Sequence, residues 1–209
     1  MKFYFVRHGQ TFLNKYKRMQ GWADAPLTTE GEEVALETGD KLADIEFDAV
    51  YTSDLGRTQA TAHLILSRNQ APKEILPMKA FRESCFGSFE GEKDQLFYQQ
   101  VAAKHGISLP QVFTDLDMET ISSDMLEMDS FKDAELFSQV LKRVLDGLDS
   151  VVSQQKDCDQ VLIVTHGNII RSLINHWAPD INVMTEIKNS SVTIVEYAYG
   201  NYTVTQFNQ

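Results

Sequence analysis

Cysteine is nearly absent from this chain of 209 residues: only Cys85 and Cys158 are present. Two cysteines cannot build a disulfide framework, and these two lack metal-type spacing. They read as small buried hydrophobes in a reducing, cytoplasmic compartment. No apolar run approaches the roughly 20 residues that span a bilayer, which excludes a membrane-embedded class. Met1-Lys2 leads into only four apolar residues before Arg7, too short for a secretory leader. Basic residues are scarce, 19 Lys and Arg against 30 Asp and Glu, for a formal net charge of -11. That balance excludes a nucleic-acid partner. Internal repeats and low-complexity linkers are also missing. The length fits one domain over residues 1–209, with an insertion.

Short apolar runs and turn signals place the elements. Residues 2–6 read as a buried strand. Thr29-x-x-Glu32 is a capping-box signature, and Val34, Leu42 and Ile45 extend a helix across about 30–45. Residues 49–52 form a second strand, after which Ser53 or Asp54 can cap a helix to about Arg68. Residues 74–78 read as an edge strand, since Pro77 cannot donate to a ladder. Residues 161–165 are a strand followed by a helix ending near Trp177. Val192–Ala198 and Tyr202–Phe207 flank Gly200-Asn201, a hairpin signal.

Between these, residues 84–157 are mostly helical and hold 14 Asp and Glu against 6 Lys and Arg. They read as a helical insertion with a solvated acidic face, covering one side of a site and ending in a long helix of about 131–155. Phe86, Phe89, Phe97 and Tyr98 read as packing residues of this insertion, with an apolar leaving-group pocket as the alternative.

Three strands run directly into polar turns: Val6 into Arg7-His8-Gly9, Thr52 into Ser53-Asp54-Leu55-Gly56-Arg57, and Thr165 into His166-Gly167. In an open α/β sheet, ligands bind at the carboxyl ends of strands. Two arginines and two histidines meeting there form a cradle for a doubly charged anion, with phosphate the leading candidate. Arg57 falls in the first turn of its helix, where a cation opposes the macrodipole unless an anion sits between it and the helix amides. The acidic balance does not prevent this. A charge about 4 Å away contributes roughly 4 kcal/mol at an effective dielectric of ~20, whereas a surface carboxylate ~20 Å away in water contributes about 0.2 kcal/mol.

One neutral imidazole can attack phosphorus, and a second, protonated one can stabilise the phosphoryl oxygens. His63, His105 and His176 fall on helices without a matching pattern and are assigned no role. Glu83, flanked by aromatics, fits a general acid of raised pKa.

Arg7-His8-Gly9-Gln10-Thr11 with Asn14 resembles the nucleophile motif of the histidine phosphatase superfamily, phosphoglycerate mutase-like branch. The resemblance continues through Gln20-Gly21-Trp22-x-Asp24-x-Pro26-Leu27-Thr28-x-x-Gly31, Ser53-Asp54-Leu55-x-Arg57-Thr58-x-x-Thr61-Ala62, Arg82-Glu83-x-x-Phe86-Gly87-x-x-Glu90-Gly91, and Thr165-His166-Gly167-x-x-x-Arg171. It implies a three-layer α/β/α sandwich with a mostly parallel sheet and a helical insertion over the active site. It implies His8 as the phosphorylated nucleophile and Glu83 as proton donor. Arg7, Arg57 and His166 would clamp the phosphoryl group, completed by Asn14 and the Gly167 amide, with Gln20 and Gly21 on the substrate side. It implies a small phosphomonoester as partner, with no metal and no cofactor, and leaves the oligomeric state unassigned.

Hydrolysis and transfer differ in what the insertion must hold. Mutases of this family resemble one another in having an arginine pair in the insertion. Here residues 84–142 contain no arginine, and their lysines are Lys93, Lys104, Lys132 and Lys142. An acidic insertion repels a second phosphate, which favours a phosphatase. His166-Gly167-Asn168 and Gly21-Trp22 are closer to the mutase pattern, so a phosphoglycerate mutase is the alternative. A non-catalytic relative is disfavoured because Arg7, His8, Arg57, Glu83 and His166 are all present.

Overall fold

Side chains of the first strand, β1 (Lys2–Arg7), alternate between two cores. Phe3 and Phe5 enter one hydrophobic cluster; Tyr4 and Val6 enter another on the opposite face. The computed structural model describes residues 1–157 and 159–209, so the expectation for Cys158 lies outside the described residues. Cys85 is buried, as expected.

After β1 come α1 (Phe12–Lys15), α2 (Thr29–Lys41), β2 (Ala49–Thr52), α3 (Gly56–Leu66) and β3 (Ile75–Pro77). Three further helices follow, α4 (Asp94–His105), α5 (Leu109–Asp115) and α6 (Met118–Met128). The chain then returns through α7 (Phe137–Gln154), β4 (Gln160–Thr165), α8 (Gly167–Trp177), β5 (Val192–Ala198) and β6 (Asn201–Gln206). The six strands lie in the order β3-β2-β4-β1-β5-β6. Pairings from β3 to β1 are parallel, and β5 and β6 are added antiparallel.

The molecule is thus a three-layer α/β/α sandwich. On one face α7 and α8 bury Val140, Val144, Leu148, Ile169 and Leu173 against Phe3, Phe5 and Ile163. On the other, Leu42, Ala62, Ile65 and Leu66 from the α2 and α3 region meet Tyr4, Val50 and Val164. Helices α4–α6 have their own core around Phe97, Val101, Val112 and Met125. The range expected for the insertion, about 84–157, includes α7, whose buried side chains belong to the sheet layer.

Several boundaries move for identifiable reasons. Thr28, rather than Thr29, caps α2, its hydroxyl accepting from the Gly31 amide at 3.0 Å. Leu42 then turns into the core and ends the helix before 45. Neither Ser53 nor Asp54 caps α3; the N-cap is Leu55. Ser53 pairs with Thr58 and His166, and Asp54 with Arg82, so both polar side chains are used in tertiary contacts. The long helix starts at Phe137 because Asp129 gathers the amides of Ser88, Phe131, Asp133 and Ala134 and holds the preceding residues in a loop. The hairpin turns on Tyr199 and Gly200, both with positive φ, one residue earlier than expected. β3 lies at the sheet edge, as Pro77 requires.

Candidate active site

Strand register brings the polar turns together. Arg7 pairs with Thr165 across β1 and β4, and the His8 amide donates to the Thr165 carbonyl at 3.0 Å. The residues one step further, His8 and His166, therefore emerge side by side, with ring centroids 5.2 Å apart. Across β2 and β4, the Ser53 amide donates to Val164, which sets Ser53 beside His166.

His8 is almost wholly buried, and its Nδ1 lies 2.8 Å from the Gly9 carbonyl. A carbonyl accepts, so Nδ1 carries the proton and Nε2 carries the lone pair. Burial, with Arg57 and Arg7 nearby, holds the imidazole well below its usual pKa. His166 is also neutral. Arg57 Nη2 donates to its Nδ1 at 3.0 Å, and its Nε2 pairs with Ser53 Oγ at 2.8 Å. Burial and Arg57 push its pKa well down. The protonated second imidazole expected from the sequence is therefore corrected: an arginine already occupies the nitrogen that would take the proton.

Arg57 is buried in the first turn of α3. Its Nη2 also donates to the Gly21 carbonyl at 2.7 Å, while Nη1 donates to Ala23 O and to Asp24 Oδ1. Asp24 accepts from the Gly56 amide as well, so it supplies an anion at this helix start. Arg7 Nη1 donates to the Ile187 carbonyl. Burial, followed by the neighbouring Arg171, pushes the Arg7 pKa down to about 10. The Nε–H groups of both Arg7 and Arg57 are buried without a partner. Two buried guanidinium N–H groups that no protein acceptor satisfies suit an anionic ligand.

Glu83 is buried, and burial raises its pKa against the opposing amides of Ser84 and Asn168. The Asn168 amide belongs to the first turn of α8. The Glu83 main chain is held by Arg143 of α7, which donates to the carbonyls of Ala80, Arg82 and Glu83 and forks onto Glu135. Trp22 Nε1 also donates to Glu83 O, at 3.0 Å.

Arg7, Asn14, Gln20, Glu83 and Gly167 line one cavity of about 270 Å³. His8, Arg57 and His166 are buried and join the cluster through the contacts above. Gln20 Oε1 accepts from Thr11, leaving its Nε2 buried and unpaired. Asn14 caps α1 reciprocally with Thr11. Gly21 does not line the cavity. Its amide donates to Glu90 and its carbonyl accepts from Arg57. Among the described residues, no three His, Cys, Asp or Glu side chains are placed to share a metal ion.

Sequence reading missed five participants. Ser53 orients His166, Asp24 pairs with Arg57, and Arg143 straps the Glu83 loop. Glu90 gathers the amides of Gly21, Trp22, Ala23 and Phe86. Asn189 donates to the His8 carbonyl at 3.0 Å. Asp24, Ser53 and Glu90 lie inside the motifs quoted above, whereas Arg143 and Asn189 carry no local signal.

A second cavity, about 460 Å³, adjoins the first, sharing Phe86, Tyr98, Asn168 and Arg171. Among the described residues, no helix is long and apolar enough to cross a membrane.

The sandwich matches known proteins. A solved structure of phosphoglycerate mutase from Bacillus anthracis str. Sterne superposes with a TM-score of 0.94 at 34% identity, covering 100% of this chain and 93% of that one. A 2,3-bisphosphoglycerate-dependent phosphoglycerate mutase of Parvibaculum lavamentivorans is 32% identical over 174 residues, 81% of this chain and 76% of that protein. The uncharacterized phosphatase PhoE of Bacillus subtilis is 27% identical over 210 residues, 97% of this chain and 92% of the relative. Residues 3–209 match the histidine phosphatase superfamily (branch 1), and the chain belongs to that family.

Proposed function

We propose that the protein is a metal-independent phosphatase acting on small phosphomonoesters through a phosphohistidine on His8. The observation that carries this reading is the His8 tautomer. Its Nδ1 proton is fixed on Gly9 O, which leaves Nε2 with the lone pair, and the charges of Arg57 and Arg7 act on the ring. Nε2 attacks phosphorus and the ester P–O bond breaks. The departing alkoxide takes the proton of Glu83, whose pKa burial raises in the direction a proton donor needs. Water then attacks phosphorus and gives a proton to the Glu83 carboxylate, the P–Nε2 bond breaks with its electron pair returning to His8, and inorganic phosphate leaves. Arg7, Arg57 and the first amide of α8 receive the phosphoryl oxygens, with Asn14 beside them. His166 aims Arg57.

Hydrolysis rather than mutase chemistry is favoured by the cavity walls. From residues 84–136 the only charged side chains on them are Asp94 and Glu135. Lys104 is engaged by Asp124 and Glu127, and Lys132 by the carbonyls of Leu126 and Glu127. On the cavity walls this segment places no cation that could meet a second phosphate. The test is p-nitrophenyl phosphate turnover in excess EDTA, wild type beside His8→Ala. Turnover in the wild type alone supports the reading; equal turnover in both removes His8 from the chemistry.

The mutase reading draws on Lys17, Arg18 and Arg171, which line the smaller cavity from outside that segment, and on relatives that carry the mutase name. Conversion of 3-phosphoglycerate to 2-phosphoglycerate with a bisphosphate primer, faster than phosphate release, would establish it.

A further inference from the structure

The wider cavity is built differently from the anion pocket it adjoins. Beyond the shared walls its lining is largely apolar: Phe113, Met118, Ile121 and Met125 from α5 and α6, and Phe137 and Val140 from α7. At about 460 Å³ it has the size of a small-molecule site. The core of α4–α6 does not need all of this surface. Phe97 is fully buried and packs with Val101 and Val112, whereas Phe113 is 36% exposed. Of the four aromatics weighed in the sequence, Phe86 and Tyr98 face the cavities, while Phe89 and Phe97 pack within the helical core.

Charge at the junction is balanced. Lys17 and Arg171 share it with Asp94 and Glu186. Arg171 is already tied to Asn168 Oδ1 and to the carbonyls of Val183 and Thr185. Glu135 is satisfied by Arg143 and the Cys85 amide. The two cations shared by the cavities are thus matched by two carboxylates, while the apolar walls reward an uncharged body.

We infer that this annex seats the leaving group, and that the preferred substrates are monophosphate esters of elongated apolar alcohols rather than polyol or sugar phosphates. The inference rests on the phosphatase reading above. The phosphate end occupies the pocket of Arg7 and Gly167, the ester oxygen passes Tyr98, and the apolar chain lies along Ile121 and Met118. Tyr98 is fixed there by ring contacts with Phe97 at 5.2 Å and Phe113 at 4.7 Å.

The n-alkyl phosphates from ethyl to octyl test this, because their alcohols have nearly equal basicity and chain length changes burial alone. In excess EDTA, kcat/KM should rise by up to about four-fold per methylene until the annex is full, with glycerol phosphate no better than ethyl phosphate. Ile121→Trp, which fills the annex, and Met118→Glu, which charges it, should each lower the octyl-to-ethyl ratio of kcat/KM at least ten-fold. Circular dichroism confirms that each variant is folded. A flat chain-length profile in the wild type overturns the annex assignment while leaving the phosphatase intact. A ratio unchanged in both folded variants overturns it equally. If no ester is turned over and no acid-labile phosphoprotein forms, the phosphatase reading fails and this inference falls with it.

Discussion

The Nδ1 of His8 lies 2.8 Å from the carbonyl oxygen of Gly9, the next residue in the chain. This contact and the opposed titration of Glu83 set the pH behaviour of the site. Burial and two arginines push His8 down, which keeps its imidazole neutral as the pH falls, as the proposed nucleophile requires. Burial pushes Glu83 up, so it remains a proton donor as the pH rises. The kcat profile on an alkyl phosphate should have its acid limb below about pH 6.5, the ordinary histidine value, and an alkaline limb set by Glu83. Glu83→Gln should abolish the alkaline limb and lower kcat/KM by ~10²–10⁴. The loss should be far smaller on p-nitrophenyl phosphate, whose leaving group departs as a stable anion. An acid limb of kcat at or above pH 6.5 would refute the lowered His8 pKa.

Stability should fall on mild acidification. His8 and His166 are both held neutral, with folded pKa values below the unfolded value of about 6.5. Below that value the unfolded chain takes up protons that the folded chain refuses. The stabilisation is complete above the unfolded pKa and is lost as pH falls toward the folded one. Together the two rings contribute up to about 2.7 kcal/mol per pH unit. Glu83 titrates in the opposite sense, but it is common to wild type and His166→Gln and cancels between them. Urea denaturation from pH 7 to 5 should give the variant a slope shallower by about half the histidine contribution. Identical slopes would sink the claim.

Most of the sheet was legible because each strand is a short apolar run ending at a turn residue, and strand ends are where residues distant in sequence meet. Arg7, His8 and His166 were found for that reason. The α3 cap was misread because Ser53 and Asp54 serve His166 and Arg82, partners that no local rule supplies. His166 was given a proton because a lone imidazole beside an anion should hold one; the arginine donating to its Nδ1 is a tertiary fact. The segment 180–191 carries no periodicity, yet it delivers Ile187 O to Arg7 and Asn189 to His8.

Arg143 offers a test of positioning without contact to the reacting atoms. It spans the carbonyls of Ala80, Arg82 and Glu83 and forks onto Glu135, and both side chains are only about a fifth exposed. Arg143→Met strands the Glu135 carboxylate and frees the Glu83 loop. Unfolding free energy should drop by ~2–4 kcal/mol, since breaking a largely buried pair leaves a charge uncompensated. In the folded fraction the alkaline limb of kcat should also move, because the Glu83 carboxyl changes surroundings. Arg143→Lys should restore stability only in part, as a lysine cannot fork onto the carboxylate. A stability loss with an unshifted pH profile would reduce Arg143 to a structural role.

Gly21 places Arg57 through its backbone, and its lack of a side chain is what allows this. A Cβ there would lie 2.1 Å from the Ser84 carbonyl oxygen and 2.4 Å from Glu90 Oε1. The first is main chain and cannot swing aside, so the 20–24 loop must move. That loop supplies Arg57 with the carbonyls of Gly21 and Ala23 and the carboxylate of Asp24. Gly21→Ala should therefore lower kcat/KM by roughly 10²-fold, the loss that follows a displacement of about 1 Å at a reacting centre, and cost about 1–3 kcal/mol of stability. Gly106→Ala is the matched control. Gly106 has a positive φ of 65° and open space around it, so the substitution carries backbone strain without a clash near the site. It should lose on the order of 1 kcal/mol and retain full turnover. If Gly21→Ala keeps wild-type kcat/KM, the loop does not set Arg57, and His166 alone must hold the guanidinium in place.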